Sequence, residues 1–171
     1  MLILLKLIQY FKPNNILEIG TSLGLSTSIL SIANSSAKIT TLEGCEQTAK
    51  VANEMFQKHN FKNIELVEWG EVPNFDVIIN ATSLGLEKED FINLDFLSIS
   101  KNKLFYDVIY NPKKTNFLLE AEKRGHQIEN GKMMFVYQAQ EAFRLFTIKP
   151  DVWDGLLPSI NKKVLQLLDN D

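Results

Sequence analysis

The sequence has little of what disulfide-bonded, metal-binding and nucleic-acid-binding proteins need. Its 171 residues include one cysteine, two histidines and five prolines. A single cysteine forms no internal disulfide and supplies no metal cluster, which suits a reducing compartment. Basic and acidic residues nearly balance, at 18 against 21, so no broad positive field attracts a phosphate backbone. We therefore expect no disulfide, no metal and no nucleic acid partner.

Long apolar runs are also missing, which predicts that the chain has no membrane span. The first five residues are apolar like the start of a signal peptide, but Lys6 interrupts them and no small-residue cleavage site follows. Leu4, Ile8 and Phe11 recur at helical spacing, which indicates an amphipathic first helix of a cytoplasmic protein. An exposed apolar face on the first or last helix would suggest a dimer.

Apolar runs bounded by turn residues alternate with segments of helical period. This rhythm is typical of a parallel sheet covered by helices. Together with 45% hydrophobic and 23% charged residues, it predicts one doubly wound, Rossmann-like α/β domain over residues 1–171, with a mostly parallel sheet of five to six strands. The predicted strands are 16–19, 37–42, 64–67, 75–79, 104–110 and a short 126–129.

The predicted helices that follow the first one are 26–33, 46–59, 114–124, 133–146 and a short 161–168. In the helix 46–59 the spacing predicts that Val51, Met55 and Phe56 face the core. Ser159 or Asn161 is the expected N-cap of the last helix, after an irregular linker over 150–158.

Four further single residues carry expectations. Trp69 and Trp153 are expected to pack into the protein, and His126 is expected to be exposed. Cys45 has two acidic neighbours, Glu43 and Glu46, which should disfavour its thiolate.

A glycine-rich turn follows the first predicted strand. Gly20 and Gly24 have no Cβ to block a ligand, and the helix N-terminus behind them offers backbone N–H groups. Glu43 ends the second strand about twenty residues on, where a carboxylate accepts hydrogen bonds from an adenosine ribose and repels a ribose phosphate. This predicts NAD or S-adenosylmethionine rather than NADP. The alternative is that both glycines serve only a tight turn.

The turn and the acid resemble the first two motifs of class I S-adenosylmethionine-dependent methyltransferases. The resemblance covers about residues 1–67 and is carried by LEIGTSLGLST at 17–27 and LEG at 42–44. It implies that Gly20 and Gly24, with Glu18 and Thr21 close by, line the methionine end of the cofactor. It also implies that Glu43 holds the ribose.

The rest of the chain, from about residue 75 to 171, resembles the C-terminal half of shikimate dehydrogenases, which is their NADP-binding Rossmann domain. The motifs are DVIINATSLG at 76–85, YDVIYNP at 106–112, NGKMM at 130–134 and QA at 138–139. Asn80 follows a buried strand at the sheet's carboxyl edge and is expected to face the cofactor. The resemblance implies that Val108 and Gly131 contact the nicotinamide, and that Tyr110 and Gln138 contact shikimate. Without the family pattern, Tyr110 and Gln138 would be ordinary surface residues.

The two resemblances join at residues 68–74. No stretch of the chain supplies the N-terminal substrate domain of shikimate dehydrogenases, with its catalytic lysine–aspartate pair, and methyltransferase-like sequence replaces their dinucleotide turn. We therefore expect a recombined or engineered hybrid that binds a nucleotide cofactor, S-adenosylmethionine or NAD(P), with little or no dehydrogenase activity. The alternatives are a small-molecule methyltransferase and a non-enzymatic scaffold whose crevice is plugged by Leu23 or Met134.

Overall fold

A computed structural model describes residues 2–70, 72–146 and 157–169. In it the chain forms a six-stranded sheet of order β3-β2-β1-β4-β5-β6, and all five strand pairs are parallel. The strands are β1 (Asn15–Ile19), β2 (Lys38–Leu42), β3 (Ile64–Val67), β4 (Val77–Asn80), β5 (Leu104–Asp107) and β6 (Gln127–Glu129). The described helices are α1 (Leu2–Phe11), α2 (Leu25–Ala33), α3 (Glu46–Lys58), α4 (Asn116–Lys123), α5 (Lys132–Phe146) and α6 (Leu157–Asp169). The predicted doubly wound α/β architecture is confirmed.

One face of the sheet is covered by α1, α2 and α5. Leu4 and Ile8 of α1 are buried against Ile16 and Ile79 of the sheet, and α1 contacts both α2 and α5. The amphipathic first helix is therefore confirmed for the i, i+4 pair Leu4 and Ile8, whereas Phe11 at its end is 44% exposed.

The opposite face is covered by α4 and by the irregular segment between β4 and β5. Phe105 of β5 lies at the centre of this layer, with ring centroids 5.9 Å from Phe75, 5.2 Å from Phe117 and 5.8 Å from Phe96. Ile92 of the irregular segment is buried in the same cluster. Aromatic side chains thus fill the space where a helix between β4 and β5 would otherwise pack.

The strand β4 joins the two halves of the chain within one sheet. It pairs with β1 on one side, in the register Ile16↔Val77, and with β5 on the other, in the register Val77↔Leu104. The segment 68–76 connects the edge strand β3 to this central strand, and its described residues form no helix. The predicted join at 68–74 therefore falls on a crossover between strands, outside the sheet itself.

Two predictions about packing are wrong, one for Val51 in α3 and one for Trp69 on the crossover between β3 and β4. Val51 is 50% exposed, whereas Ala52 and Phe56 are buried, because α3 lies towards the sheet edge and covers it with a narrow stripe. Trp69 is 42% exposed on the crossover.

Two further predictions are wrong: the exposure of His126 and the N-cap of the last helix. His126 is only 7% exposed: its ring lies 4.9 Å from the Phe105 ring, and its Nδ1 accepts a hydrogen bond from the Lys103 N–H at 3.4 Å. The last helix begins at Leu157, so Ser159 and Asn161 lie inside it and do not cap it. Trp153 and most of the predicted linker lie outside the described residues.

Candidate functional site

The carboxyl ends of β1 and β4 lie side by side, at the point where the strand order reverses. In open α/β sheets, ligands bind in the crevice outside this point. Most of the predicted cofactor and substrate residues lie on or next to this edge of the sheet. From the first half these are Glu18, Gly20, Thr21, Gly24 and Glu43, and from the second half Asn80, Val108, Tyr110 and Gly131.

The two glycines of the turn are required by the protein's own packing. Gly20 has φ 96° and Gly24 has φ 80°, a backbone conformation that side chains rarely allow. A Cβ on Gly20 would lie 2.7 Å from Cγ2 of Thr82, and one on Gly24 would lie 2.7 Å from Met55 Cε. A side chain at either position would therefore clash with Thr82 or with α3, so the packing of the protein itself requires both glycines.

The backbone N–H groups of the turn are also engaged within the chain. Gly20 and Thr21 both donate to the carbonyl oxygen of Leu42, at 2.9 and 3.1 Å, and Ser22 donates to Glu43 Oε2 at 2.7 Å. These bonds hold the turn against the end of β2. A bound cofactor would therefore meet a turn that is already ordered.

Glu43 is the charged group at the mouth of this half of the crevice. Its Oε2 accepts from Ser22 N–H, and its Oε1 accepts from Cys45 N–H at 3.0 Å. A carboxylate oxygen has two lone pairs, so each oxygen keeps a site for a ribose hydroxyl. These two acceptor oxygens fit the hydroxyls of an adenosine ribose, and their negative charge disfavours a ribose phosphate.

Glu18 and Thr21 lie beneath the turn, both buried. Glu18 Oε2 accepts hydrogen bonds from the hydroxyls of Thr27 and Thr41, the second at 2.8 Å, and Thr21 Oγ1 pairs with Thr41 Oγ1 at 2.7 Å. Burial raises the pKa of Glu18, and the hydroxyl hydrogen bonds lower it by less. These two residues support the turn from the core side, between β1, β2 and α2.

Asn80 and Asp107 form a buried polar network at the ends of β4 and β5. They are register partners in neighbouring strands, and Asn80 Nδ2 donates to Asp107 Oδ1 at 3.1 Å. Burial raises the pKa of Asp107, while its hydrogen bonds, first that from Thr115, act in the opposite direction. We did not predict a role for Asp107. An acid at the end of an apolar strand, opposite Asn80, was the signal that could have indicated it.

On the dehydrogenase-like side, the loop after β5 meets the start of α5. A Cβ on Gly131 would lie 1.8 Å from the Val108 carbonyl oxygen, and Gly131 N–H donates to the Ile109 carbonyl oxygen at 3.0 Å. Tyr110 stacks on Phe135 of α5 with centroids 4.6 Å apart. Val108 and Gly131 are therefore in direct contact.

A cavity of about 650 Å³ lies beside Tyr110, with lining that includes Pro112, Lys114 and Leu168. Gln138 is exposed on α5, three residues after Phe135, so the two residues share one side of the helix. Met134 packs against the core of the first face, and Leu23 is 54% exposed. Neither of these two side chains is therefore buried inside the crevice, where it would block a ligand.

Cys45 departs from its predicted behaviour. It is exposed, and hydrogen bonding to Thr48 lowers the pKa of its thiol, while the charge of Glu43 raises it by a smaller amount. Glu43 thus acts in the predicted direction, but the Thr48 hydrogen bonds outweigh it, so the prediction of a disfavoured thiolate is wrong. Among the described residues, no group of three or more potential ligands could hold a metal ion, and no helix is both long and apolar enough to cross a bilayer.

Comparisons with known proteins find matches to a shikimate dehydrogenase and to an O-methyltransferase. No family profile matches the sequence. The chain is 51% identical over 112 residues to the shikimate dehydrogenase (NADP(+)) of Pelagibacter ubique, a match that covers 66% of this chain and 40% of that protein. The chain thus spans well under half the length of this curated relative.

Two solved structures complete the comparison. Quinate dehydrogenase from Corynebacterium glutamicum, in complex with NAD, aligns with 90% of this chain and 55% of its own, at 21% identity and a TM-score of 0.70. A proposed O-methyltransferase from Klebsiella pneumoniae is 31% identical and covers 45% of this chain and 40% of its own, with a TM-score of 0.41. The chain therefore has the Rossmann-like fold of the quinate dehydrogenase structure, and about two thirds of it are similar in sequence to a shikimate dehydrogenase.

Proposed function

We propose that this shikimate dehydrogenase-like domain is a hybrid that binds an adenosine-containing cofactor at the β1–β4 edge and has little or no dehydrogenase activity of its own. In this proposal residues 1–67 hold the adenosine part, 68–74 are the join and 75–171 form the dehydrogenase-like half of a single domain. A cytoplasmic location and a small-molecule cofactor as the partner belong to the same proposal.

The observation that carries the proposal is the position of Glu43. Its carboxylate lies at the end of β2, next to the glycine turn, and keeps lone pairs free for two ribose hydroxyls. A negative charge there favours S-adenosylmethionine or NAD over NADP, because a 2′-phosphate would be repelled.

The residues in the other half of the crevice are the reason for proposing low dehydrogenase activity. Tyr110 and Gln138 offer a phenol and an amide to a polyhydroxylated acid, and neither is a suitable proton-transfer group near neutral pH. Asp107 is buried and accepts hydrogen bonds from Asn80, Ile109 and Thr115. It is therefore already committed to the protein's own donors.

The test is a thermal-shift series with S-adenosylmethionine, S-adenosylhomocysteine, NAD and NADP side by side, followed by calorimetric titration. We expect the first two cofactors or NAD to raise Tm, and NADP to leave it unchanged. At a hundred times Kd a ligand adds about 2.7 kcal/mol of stability, which is readily measured as a Tm shift. If none of the four raises Tm, the proposal is wrong and the non-enzymatic scaffold is favoured.

A matched pair of variants tests Glu43 itself. Glu43→Gln removes the charge but keeps a carbonyl acceptor. We therefore expect the variant to bind more weakly the cofactor that the wild-type protein binds, and to discriminate less against NADP. Glu46→Gln removes the same charge three residues on, at an exposed position, and should leave both affinities unchanged. Equal effects of the two substitutions would mean that only net charge matters.

A methyltransferase is the second candidate, favoured by the turn at 17–27 together with Glu43. Binding of S-adenosylmethionine and its homocysteine product alone would support it, with Tyr110 or Gln138 orienting the methyl acceptor. Failure of both to bind in the calorimeter would exclude it.

Because Tyr10 and Phe11 of α1 are exposed, light scattering should accompany these titrations to detect a dimer.

A further inference from the structure

The carboxylate of Asp107 is a buried junction between two loops at the sheet's carboxyl edge. We call residues 80–85 the Asn80 loop and residues 108–115 the Tyr110 loop. Asp107 accepts hydrogen bonds from Asn80 Nδ2 at 3.1 Å, from Ile109 N–H at 3.0 Å and from Thr115 Oγ1 at 2.6 Å. A buried carboxylate needs such donors, because water does not compensate it. Both loops therefore depend on the same acceptor.

On the cofactor side, Asn80 holds the Asn80 loop in place through its own hydrogen bonds. Its Oδ1 accepts from Thr82 N–H at 3.0 Å and from Thr82 Oγ1 at 2.7 Å, and its Nδ2 also donates to the Leu84 carbonyl oxygen at 3.0 Å. Thr82 is the residue that fills the space beside Gly20. The position of Asn80 thus determines what lies against the glycine turn.

On the other side, Thr115 fixes the end of the Tyr110 loop. Its hydroxyl donates to Asp107 and accepts from Leu118 N–H at 3.4 Å, as the N-cap of α4. It also contacts the Asn80 loop directly: a Cβ on Gly85 would lie 2.9 Å from Thr115 Cγ2. The two loops therefore share a polar junction and a close packing contact.

We propose that Asp107 is a positioning residue that locks the Asn80 loop to the Tyr110 loop, so that a change in the Tyr110 loop alters cofactor affinity at the glycine turn. The network runs from Thr115 through Asp107 and Asn80 to Thr82, and each member is held by hydrogen bonds to its neighbours. It connects the dehydrogenase-like half of the chain to the methyltransferase-like turn. The affinity part of this inference rests on the proposed function, whereas the loop coupling does not.

The test perturbs Thr115, because substituting Asp107 risks unfolding the domain. Thr115→Val removes the hydroxyl and keeps the shape, and Thr115→Ser keeps the hydroxyl. Ala121→Gly is the matched control, because it weakens the same helix, by an amount similar to the loss of a cap, without touching the network. The first readout is amide hydrogen exchange over residues 82–86, measured without ligand and well below the onset of unfolding.

We expect Thr115→Val to speed exchange in residues 82–86 by about fivefold or more, a change that corresponds to the loss of one hydrogen bond. Ala121→Gly should leave it unchanged, and Thr115→Ser, which keeps the hydroxyl but loses Cγ2, should speed it less than Thr115→Val does. Equal exchange in Thr115→Val and the wild type, or an equal increase in Ala121→Gly, would overturn the proposal.

The second readout is calorimetric affinity for S-adenosylhomocysteine and for NAD as separate probes. Whichever probe binds the wild type should bind Thr115→Val at least about threefold more weakly, and the serine variant normally. Unchanged affinity in Thr115→Val would refute the link to the glycine turn. If neither probe binds the wild type, the proposed function fails, and the exchange measurement still decides whether the loops are coupled.

Discussion

Replacing Gly131 by alanine should be among the most damaging single-methyl additions to this chain. An ideal Cβ at Gly131 lies 1.8 Å from the Val108 carbonyl oxygen and 2.4 Å from its carbonyl carbon. The obstacle is backbone, and it is fixed on both sides. Val108 N–H donates to the Asn80 carbonyl oxygen, and Gly131 N–H donates to the Ile109 carbonyl oxygen, both at 3.0 Å. The start of α5 must therefore move away from the end of β5, and at least one of these bonds must lengthen.

Overpacking of a well-packed site costs about 1–3 kcal/mol, and because no flexible side chain can yield here we expect a loss of about 3 kcal/mol in the free energy of unfolding. For a domain of this size that is a fall in Tm of about 6–12 °C. The assay is urea unfolding followed by circular dichroism, which gives the midpoint and the slope. An unchanged slope would show that stability, rather than the compactness of the unfolded chain, has changed.

Gly44→Ala is the matched control for this prediction. A Cβ on Gly44 meets nothing within 4 Å, and its φ lies outside the left-handed region. Alanine there should leave stability unchanged or raise it by up to about 1 kcal/mol, because it restricts the unfolded chain. If Gly131→Ala is as stable as Gly44→Ala, the reasoning from Cβ contacts at the β5–α5 junction is refuted.

Three further predictions concern the first half of the chain. Burial raises the pKa of Glu18 above its ordinary value of 4.5, so its contribution to stability is fully present below that pH and is lost as pH rises through the raised value. Glu18→Gln, which cannot ionise, should therefore gain stability relative to the wild type as pH rises above 4.5 in urea unfolding, and a constant difference would contradict this. Thr48→Val should raise the pKa of Cys45, seen as slower alkylation near neutral pH, and unchanged alkylation would argue against the Thr48 hydrogen bond. Gly24→Ala should lower stability by about 1–3 kcal/mol, because its Cβ would meet both Met55 and Phe56 and the backbone has φ 80°. A second substitution, Met55→Ala, should not restore stability in full, because the contact with Phe56 and the backbone strain remain, and full recovery would contradict this.

Several features of the fold could be predicted because they depend on neighbours in the sequence. Apolar strands bounded by turn residues gave β1 and β4 to within about two residues, and β3 at its observed bounds. The position of Glu43 after β2 also followed, because a parallel strand that ends in an acid places it at the carboxyl edge. The amphipathic α1 was readable from the spacing of Leu4 and Ile8.

Other features could not be predicted, because they depend on residues far apart in the sequence. His126 is buried by Phe105, which lies one strand away in the sheet, and no local pattern indicates that contact. The bounds of α6 include both residues that we expected to cap it. The N-cap is the residue at which the chain enters the helix, and local composition alone does not determine that position.

The candidate site divides in the same way. By itself the sequence determined most of the residues that reach the carboxyl edge of the sheet, although not Asp107, and that Glu43 brings a negative charge to it. Only the tertiary structure decided how they are used: Glu18 lies beneath the turn, and Asp107 joins two loops. The reason is physical, since burial and hydrogen-bond satisfaction are properties of strands brought together by folding, and the partners of Glu18 and Asp107 come from neighbouring strands and helices.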